Sequence, residues 1–394
     1  MKNEASNQNL YEKGYQLYTE MYQDFTSKLN FNRPVIDEKY YQAMPLTQLT
    51  QLANQGDAAA QYCLADYYAE EDQMELAMDW YQRAANGGCA EAMEMLAGIY
   101  GDDAGSRDEA LEWLKKASKV GCSAYTAYQM VHLYLDHNNS SFEDYENALP
   151  WLMLFSAYMQ SSEEEAQSKD GTQAILRLVA VLQVLIEVKL EVAHNNPALA
   201  GYQEIENHAL MCYYFAQKFR ISSLDSTAVK TAHILCQIGE CAYGMRKPYG
   251  KETLKEAMSM GSDYAAVLLV PEGISKACNE RTAPSGMTMY RVVDYQVFVT
   301  HPVDLNQVRA ANSLVKEYFP MVRRAATSNA NRGGYRQAEA LYRLSHFYIF
   351  GFCCRQNLNT AHYYLEQAAN LGHTGAKHLL EHFHKKFLSG WRIE

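Results

Sequence analysis

Between Gly56 and Gly121 the chain writes one pattern twice. Gly56, Ala58, Ala60, Leu64, Tyr68, Ala77, Trp80 and Ala84 are answered by Gly88, Ala90, Ala92, Leu96, Tyr100, Ala110, Trp113 and Ala117. Glycine, alanine, leucine and tyrosine keep identical offsets, and each tryptophan follows its alanine by three residues. Few features constrain a fold more, because a unit this short cannot bury its apolar face alone and must stack on a neighbour. The alanines predict close helix approach, and leucine and tyrosine four apart predict one packed face. The glycine predicts the end of each second helix. A third copy starts one residue late after Gly121, with Ala124, Thr126, Met130 and Tyr134, then Ala148 and Trp151. Glycine, alanine, leucine, Tyr68 and tryptophan are read as frame, and the residues between them as the place to look for function.

The pattern G-x-A-x-A-x3-L-x3-Y, followed by A-x2-W-x3-A and a closing glycine, resembles the Sel1-like repeat, a helix-turn-helix relative of the tetratricopeptide repeat. A further match lies near the carboxyl end, at Ala338, Ala340, Leu344, Tyr348, Gly351, Ala361, Tyr364 in the tryptophan place, Ala368, Ala369 and Gly372. Thr374, Ala376 and Leu380 then begin another first helix. The first copies shorten the glycine-bearing loop, and Glu70, Glu71 and Asp72 stand where the family commonly has glycine. The resemblance implies an all-α, right-handed superhelical solenoid doing adaptor work. In bacteria some members are immunity proteins against secreted toxins, including type VI secretion.

Along the chain, residues 1–55 read as an N-terminal helical cap and 56–160 as the clear repeats. Residues 161–280 read as diverged helical repeats, entered through the charged run Ser161 to Gly171, with Ala257, Gly261, Ala265 and Leu269 as a worn junction. Residues 281–335 hold an extended or β insertion near 285–302, where Val293, Tyr295, Val297 and Val299 alternate, and then a helix. Residues 336–394 form the last repeat and its cap.

The nine cysteines include no C-x-x-C pair, which predicts reduced, packed thiols. Met1 to Leu10 has no apolar core, and the most apolar stretch, Ala174 to Ala193, is interrupted by Arg177, Glu187, Lys189 and Glu191. The expectation is a cytoplasmic protein with no membrane passage. Residues 1–170 carry 11 Lys+Arg against 28 Asp+Glu, leaving 24 and 18 for residues 171–394, a swing from −17 to +6. An acidic half disfavours nucleic acid and favours a basic protein partner.

Candidate chemistry is sparse. His378, Glu381 and His382 match H-x-x-E-H, the pattern of a metal-dependent hydrolase, but in a histidine-rich tail whose Leu380 is a repeat position. Gly244 to Lys251 has five residues between its glycines where a phosphate loop needs four, and Glu252 follows where Ser or Thr should bind Mg²⁺. Cys353 and Cys354 lack supporting ligands. No catalytic residue, metal site or cofactor is assigned.

With the first helix of each repeat facing inward, the lining residues are Tyr62, Asp66 and Glu70, then Glu91, Glu94 and Asp102, then Tyr125, Tyr128, His132 and Asp136. Carboxylates interleaved with tyrosines suit Lys and Arg heads and their apolar stems. The expectation is a non-catalytic binding solenoid, an immunity protein gripping a basic toxin or effector domain, with a regulatory or assembly adaptor as the alternative.

Overall fold

Leu64, Leu96 and Met130, the same register in three successive repeats, are wholly excluded from solvent in the computed structural model, as are Ala60, Ala77, Ala84, Ala92, Ala110, Ala117 and Ala148. The residues described are 2–101, 106–135, 140–160, 169–195, 201–219, 227–270, 316–328, 333–351, 353–386 and 390–393. They fall into two compact units, Tyr15–Leu185 and the combination of Met1–Gly14 with Ile186–Glu394. The insertion expected near 285–302 and the charged run at 161–168 lie outside the described residues.

The first unit takes its helices in chain order from the part of α1 (Lys2–Thr26) that follows Gly14 through α2 (Glu38–Gln42), α3 (Leu46–Asn54), α4 (Ala58–Glu70), α5 (Met74–Asn86), α6 (Ala90–Gly101), α7 (Arg107–Gly121) and α8 (Ala124–Leu135) to α9 (Phe142–Tyr158). α4 packs on α5, α6 on α7 and α8 on α9, and each pair meets the next, the stacking that the repeated pattern demands. Local chemistry sets the starts: the Asp57 carboxylate accepts from Ala60 N at 3.0 Å, and Ser141 and Asp144 close a reciprocal capping box on α9. Gly56 and Gly88 turn the chain at φ of 92° and 90°, a left-handed backbone that other residues enter only with strain. Burying each core leucine contributes about 2 kcal/mol.

The frame residues keep their places, with two details that the repeat does not announce. Trp80 and Trp113 are only partly buried at the rim, with the Arg83 and Lys116 cations 4.5 and 4.0 Å from their ring centroids. The fully buried aromatic of α5 is the next residue, Tyr81. Gly121 does not turn the chain at positive φ, as Gly56 and Gly88 do. It ends α7, and a Cβ there would lie 2.7 to 2.8 Å from Arg33 atoms, so the missing side chain admits the strap of residues 27–37 that joins α1 to α2.

The second unit contains the end of α10 (Lys169–Asn195), then α11 (Tyr202–Lys218), α12 (Thr227–Gly244), α13 (Gly250–Ser259), a helical stretch at 263–270, α14 (Tyr318–Thr327), α15 (Tyr335–Phe350), α16 (Leu358–Asn370) and α17 (Thr374–Glu381). α12 packs on α11 and α13, and α15 on α14 and α16. Gly14 lets α1 reach α11 here, since a Cβ would stand 2.2 Å from the Leu210 carbonyl oxygen. After α17 the chain forms an antiparallel hairpin, β1 (Phe383–Lys386) with β2 (Gly390–Ile393), where the sequence reading placed no strand. Strands of four residues give too short an alternation to stand out in a tail rich in histidine and lysine. Among the described residues the cysteines are free thiols, and no helix is long and apolar enough to cross a membrane.

Candidate partner-binding face

The positions of α4, α6 and α8 expected to line the binding face separate into three environments. On α4, Tyr62 is buried and Asp66 half-buried, while Glu70 is exposed. The Tyr81 hydroxyl donates to Asp66 Oδ1 at 2.6 Å, and Tyr62 donates to the same carboxylate. Burial pushes the Asp66 carboxyl above its ordinary value; the tyrosine hydrogen bonds pull it down, and Glu38 and Glu70 push it further up. The same surroundings hold Tyr62 and Tyr81 well above a normal phenol. The charges that act on Asp66 here are carboxylates.

On α6 the cation is already present. Arg33, from the strap, places Nη1 2.9 Å from Glu94 Oε1, Nη2 2.7 Å from Glu94 Oε2 and Nε 2.8 Å from Glu91 Oε1. The Glu94 side chain also accepts from Ser123 Oγ at 2.8 Å and from the Thr126 hydroxyl. Backbone contacts fix the strap, with Asn30 N donating to Ser118 O at 3.2 Å and Cys122 N to Asn30 O at 2.6 Å. Glu94, only 4% exposed, is therefore not open to a partner, and Tyr62 is closed off as well. The pattern missed Arg33 because it lies in a polar stretch outside any repeat, 61 residues from Glu94.

On α8, Tyr125, Tyr128 and His132 are exposed on one face. The two tyrosine rings are 6.4 Å apart and stacked at 22°, and Tyr128 also meets His132 at 6.1 Å and Phe155 at 5.7 Å. Asp102 and Asp136 lie outside the described residues.

The other motifs make local contacts. His378 Nδ1 is 3.2 Å from Glu381 Oε2, both exposed, and among the described residues no group of three or more His, Cys, Asp or Glu is placed to hold a metal ion. In the glycine-flanked turn after α12, Lys247 pairs with the buried Glu206, whose other oxygen accepts from Tyr249 at 2.5 Å. Burial pushes the Cys354 thiol up to about 11, which makes it a poor nucleophile.

The second unit hides an ionic network that no periodicity announces. His194 Nε2 is 2.9 Å from Glu240 Oε1, Arg336 Nη2 is 2.8 Å from Glu187 Oε1, and Glu339 is shared by Arg343 at 2.7 Å and His373 at 2.7 Å. His373 also caps α17 through Nδ1, which accepts from Ala376 N at 3.0 Å. Burial pushes the Glu187 carboxyl up, but His233 and Arg336 outweigh it and hold it at about 2. Burial pushes the His194 imidazole down, but Glu240 outweighs it and raises it. His346 is driven down to about 4 by burial and by Arg343.

The Sel1 repeat family matches residues 58–89, 90–122 and 338–373, so the chain carries Sel1 repeats, which in general mediate protein–protein interaction. No curated protein matches the chain. Solved structures similar to it include a Sel1 repeat protein from Oxalobacter formigenes, 16% identical over 85% of this chain and 90% of that one, TM-score 0.26. A sel1 repeat protein from Klebsiella pneumoniae subsp. pneumoniae is 17% identical over 86% and 99%, TM-score 0.22. The protective antigen c5321 of uropathogenic Escherichia coli strains, which displays an SLR fold, is 14% identical over 85% and 81%, TM-score 0.20.

Proposed function

We propose that this chain is a non-catalytic binding protein whose Tyr15–Leu185 unit holds a basic protein partner, and that the partner is a toxin or effector domain which a bacterial immunity protein of this kind neutralises in the cytoplasm. One observation carries the reading. Residues 15–185 hold 10 Lys+Arg against 26 Asp+Glu, a net −16, while the rest of the chain holds 25 and 20, a net +5. Self-repulsion of this size opposes folding, and a cationic partner relieves it while speeding encounter.

The proposed contacts are Asp66 and Glu70 on α4 with Tyr125, Tyr128 and His132 on α8. Glu91, half-buried beside Arg33, is a further proposed contact, as are Asp102 and Asp136, which lie outside the described residues. The raised Asp66 carboxyl supports this choice, since its charge lacks the compensation that Glu94 receives from Arg33. A Lys or Arg brought there gains attraction without first breaking an internal ion pair.

The test is affinity capture from the native organism, followed by equilibrium binding of the purified partner to wild type and to Glu70→Lys. Glu70 is exposed, so folding should persist, and affinity should fall about tenfold with a weaker salt dependence. An unchanged affinity would sink the face. For immunity, the captured partner should arrest growth when expressed alone and not when co-expressed with this chain; a harmless partner leaves an adaptor.

A further inference from the structure

The strap that joins α1 to α2 has an inner and an outer side. Arg33 and Ile36 turn inward, Arg33 onto Glu91 and Glu94 of α6 and Ile36 against the core of the unit. Asn30 pins the start of the segment, its N–H donating to Ser118 O and its carbonyl accepting from Cys122 N. The outer side carries Phe31, 45% exposed, and Val35, 94% exposed; among the described residues no other large hydrophobic side chain stands so far into solvent as Val35. A lone exposed apolar side chain is ordinary, so its place on the molecule decides what it means.

That place is the crossing point of the proposed face. α6 is the repeat-first helix between α4 and α8, and proposed contacts lie on both neighbours, Asp66 and Glu70 on one and Tyr128 on the other. A partner that reaches both has to pass over α6. There Glu94 is closed off by Arg33, so the partner meets the outer side of the strap in place of the helix.

We propose that Phe31 and Val35 are the apolar anchors of the partner-binding face, and that they seat a segment of the basic partner in which apolar side chains alternate with Lys or Arg. The inference rests on the binding role proposed above. The charge beside the anchors suits this occupant. Glu38, three residues beyond Val35, acts on Asp66 and Tyr62 of α4, so carboxylates flank the apolar spot. Charge of that sign draws a basic segment in, and an apolar contact that salt does not screen then holds it. Because Asn30 and Arg33 already fix the strap, binding has little ordering of the anchors to offset.

The probes are two short fluorescein-labelled peptides of equal length and charge, one alternating lysine with leucine and the other lysine with serine, titrated by anisotropy against the full chain. The leucine peptide should bind about tenfold tighter than the serine peptide, and that gain should persist at moderate salt. Val35→Ser/Phe31→Ser should erase the gain and leave the salt-dependent binding of the serine peptide unchanged, with circular dichroism as in wild type. Val35→Ser alone serves if the double variant fails to fold, and it should cut the gain about threefold. Equal binding of the two peptides to wild type, or a gain that survives these substitutions, overturns the anchors. Glu70→Lys separates this inference from the reading it rests on. If it weakens both peptides while the leucine gain is missing or survives in the strap variants, the basic-partner reading stands and the anchors do not; if it weakens neither, that reading falls as well.

Discussion

Arg33 and Glu94, 61 residues apart, meet as a two-point fork at 2.9 and 2.7 Å, and Glu91 takes the third guanidinium nitrogen at 2.8 Å. The Glu94 carboxylate is almost wholly excluded from water, so its charge is tolerable only because a planar cation and two hydroxyls surround it. Removing one partner and removing both should differ sharply. Arg33→Ala strands a buried charge and should cost about 3 kcal/mol in chemical denaturation, whereas Arg33→Met/Glu94→Met should fall much closer to wild type. If the double variant loses as much as the single one, the fork is not the source of the loss.

Gly121 and the strap make a second case. A methyl group at Gly121 would collide with the Arg33 backbone and Cβ at under 3 Å. Gly121→Ala should cost about 2 kcal/mol by overpacking and should expose residues 27–37 to limited proteolysis. At Gly56 a Cβ meets no atom within 4 Å, but φ is 92°, so Gly56→Ala destabilises through backbone strain and leaves the strap protected.

Tyr81 couples the frame to the proposed face. Tyr81→Phe keeps the ring in the core and deletes the hydroxyl that donates to Asp66 at 2.6 Å. The expected loss is about 1 kcal/mol. Because that hydrogen bond pulls the Asp66 carboxyl down against burial, its removal should move the Asp66 titration further up, followed by carbon-detected NMR.

Three groups in the second unit should shape the pH dependence of stability, and Glu339, whose carboxyl burial pushes up but Arg343 and His373 hold well below the usual carboxylate range, adds to the acid loss. His194 is raised, so its contribution is complete below the ordinary imidazole value near 6.5 and is lost as pH rises through its folded value. His346, buried neutral and lowered to about 4, contributes fully above 6.5 and loses that contribution as pH falls from 6.5 to 4. Glu187, held at about 2, contributes above the ordinary 4.5 and loses its share as pH falls from there towards 2. Denaturation midpoints should peak near pH 6.5. His194→Gln should flatten the alkaline limb and His346→Gln the first part of the acid limb; limbs unchanged in both variants would remove these histidines as the cause.

How much of this was readable in the amino-acid order depends on whether the physics repeats. Leu64, Leu96 and Met130, the small alanines and the turning glycines Gly56 and Gly88 recur because every stacked helix pair solves the same packing problem, so the helical architecture follows from the sequence alone. The acidic excess of the first unit is equally a property of the chain. Which of its carboxylates face a partner is not. Glu94 and Asp66 look alike as letters, but the strap brings Arg33 to one and leaves the other with two tyrosines. The seating of Arg33 against Gly121 has the same origin, as does the pairing of Glu187 with Arg336 and of Glu240 with His194 from other helices. Periodic sequence encodes what each unit does to its neighbour. Contacts that join one unit to a segment far along the chain occur once, leave no period, and are decided only when tertiary packing closes the loop between them.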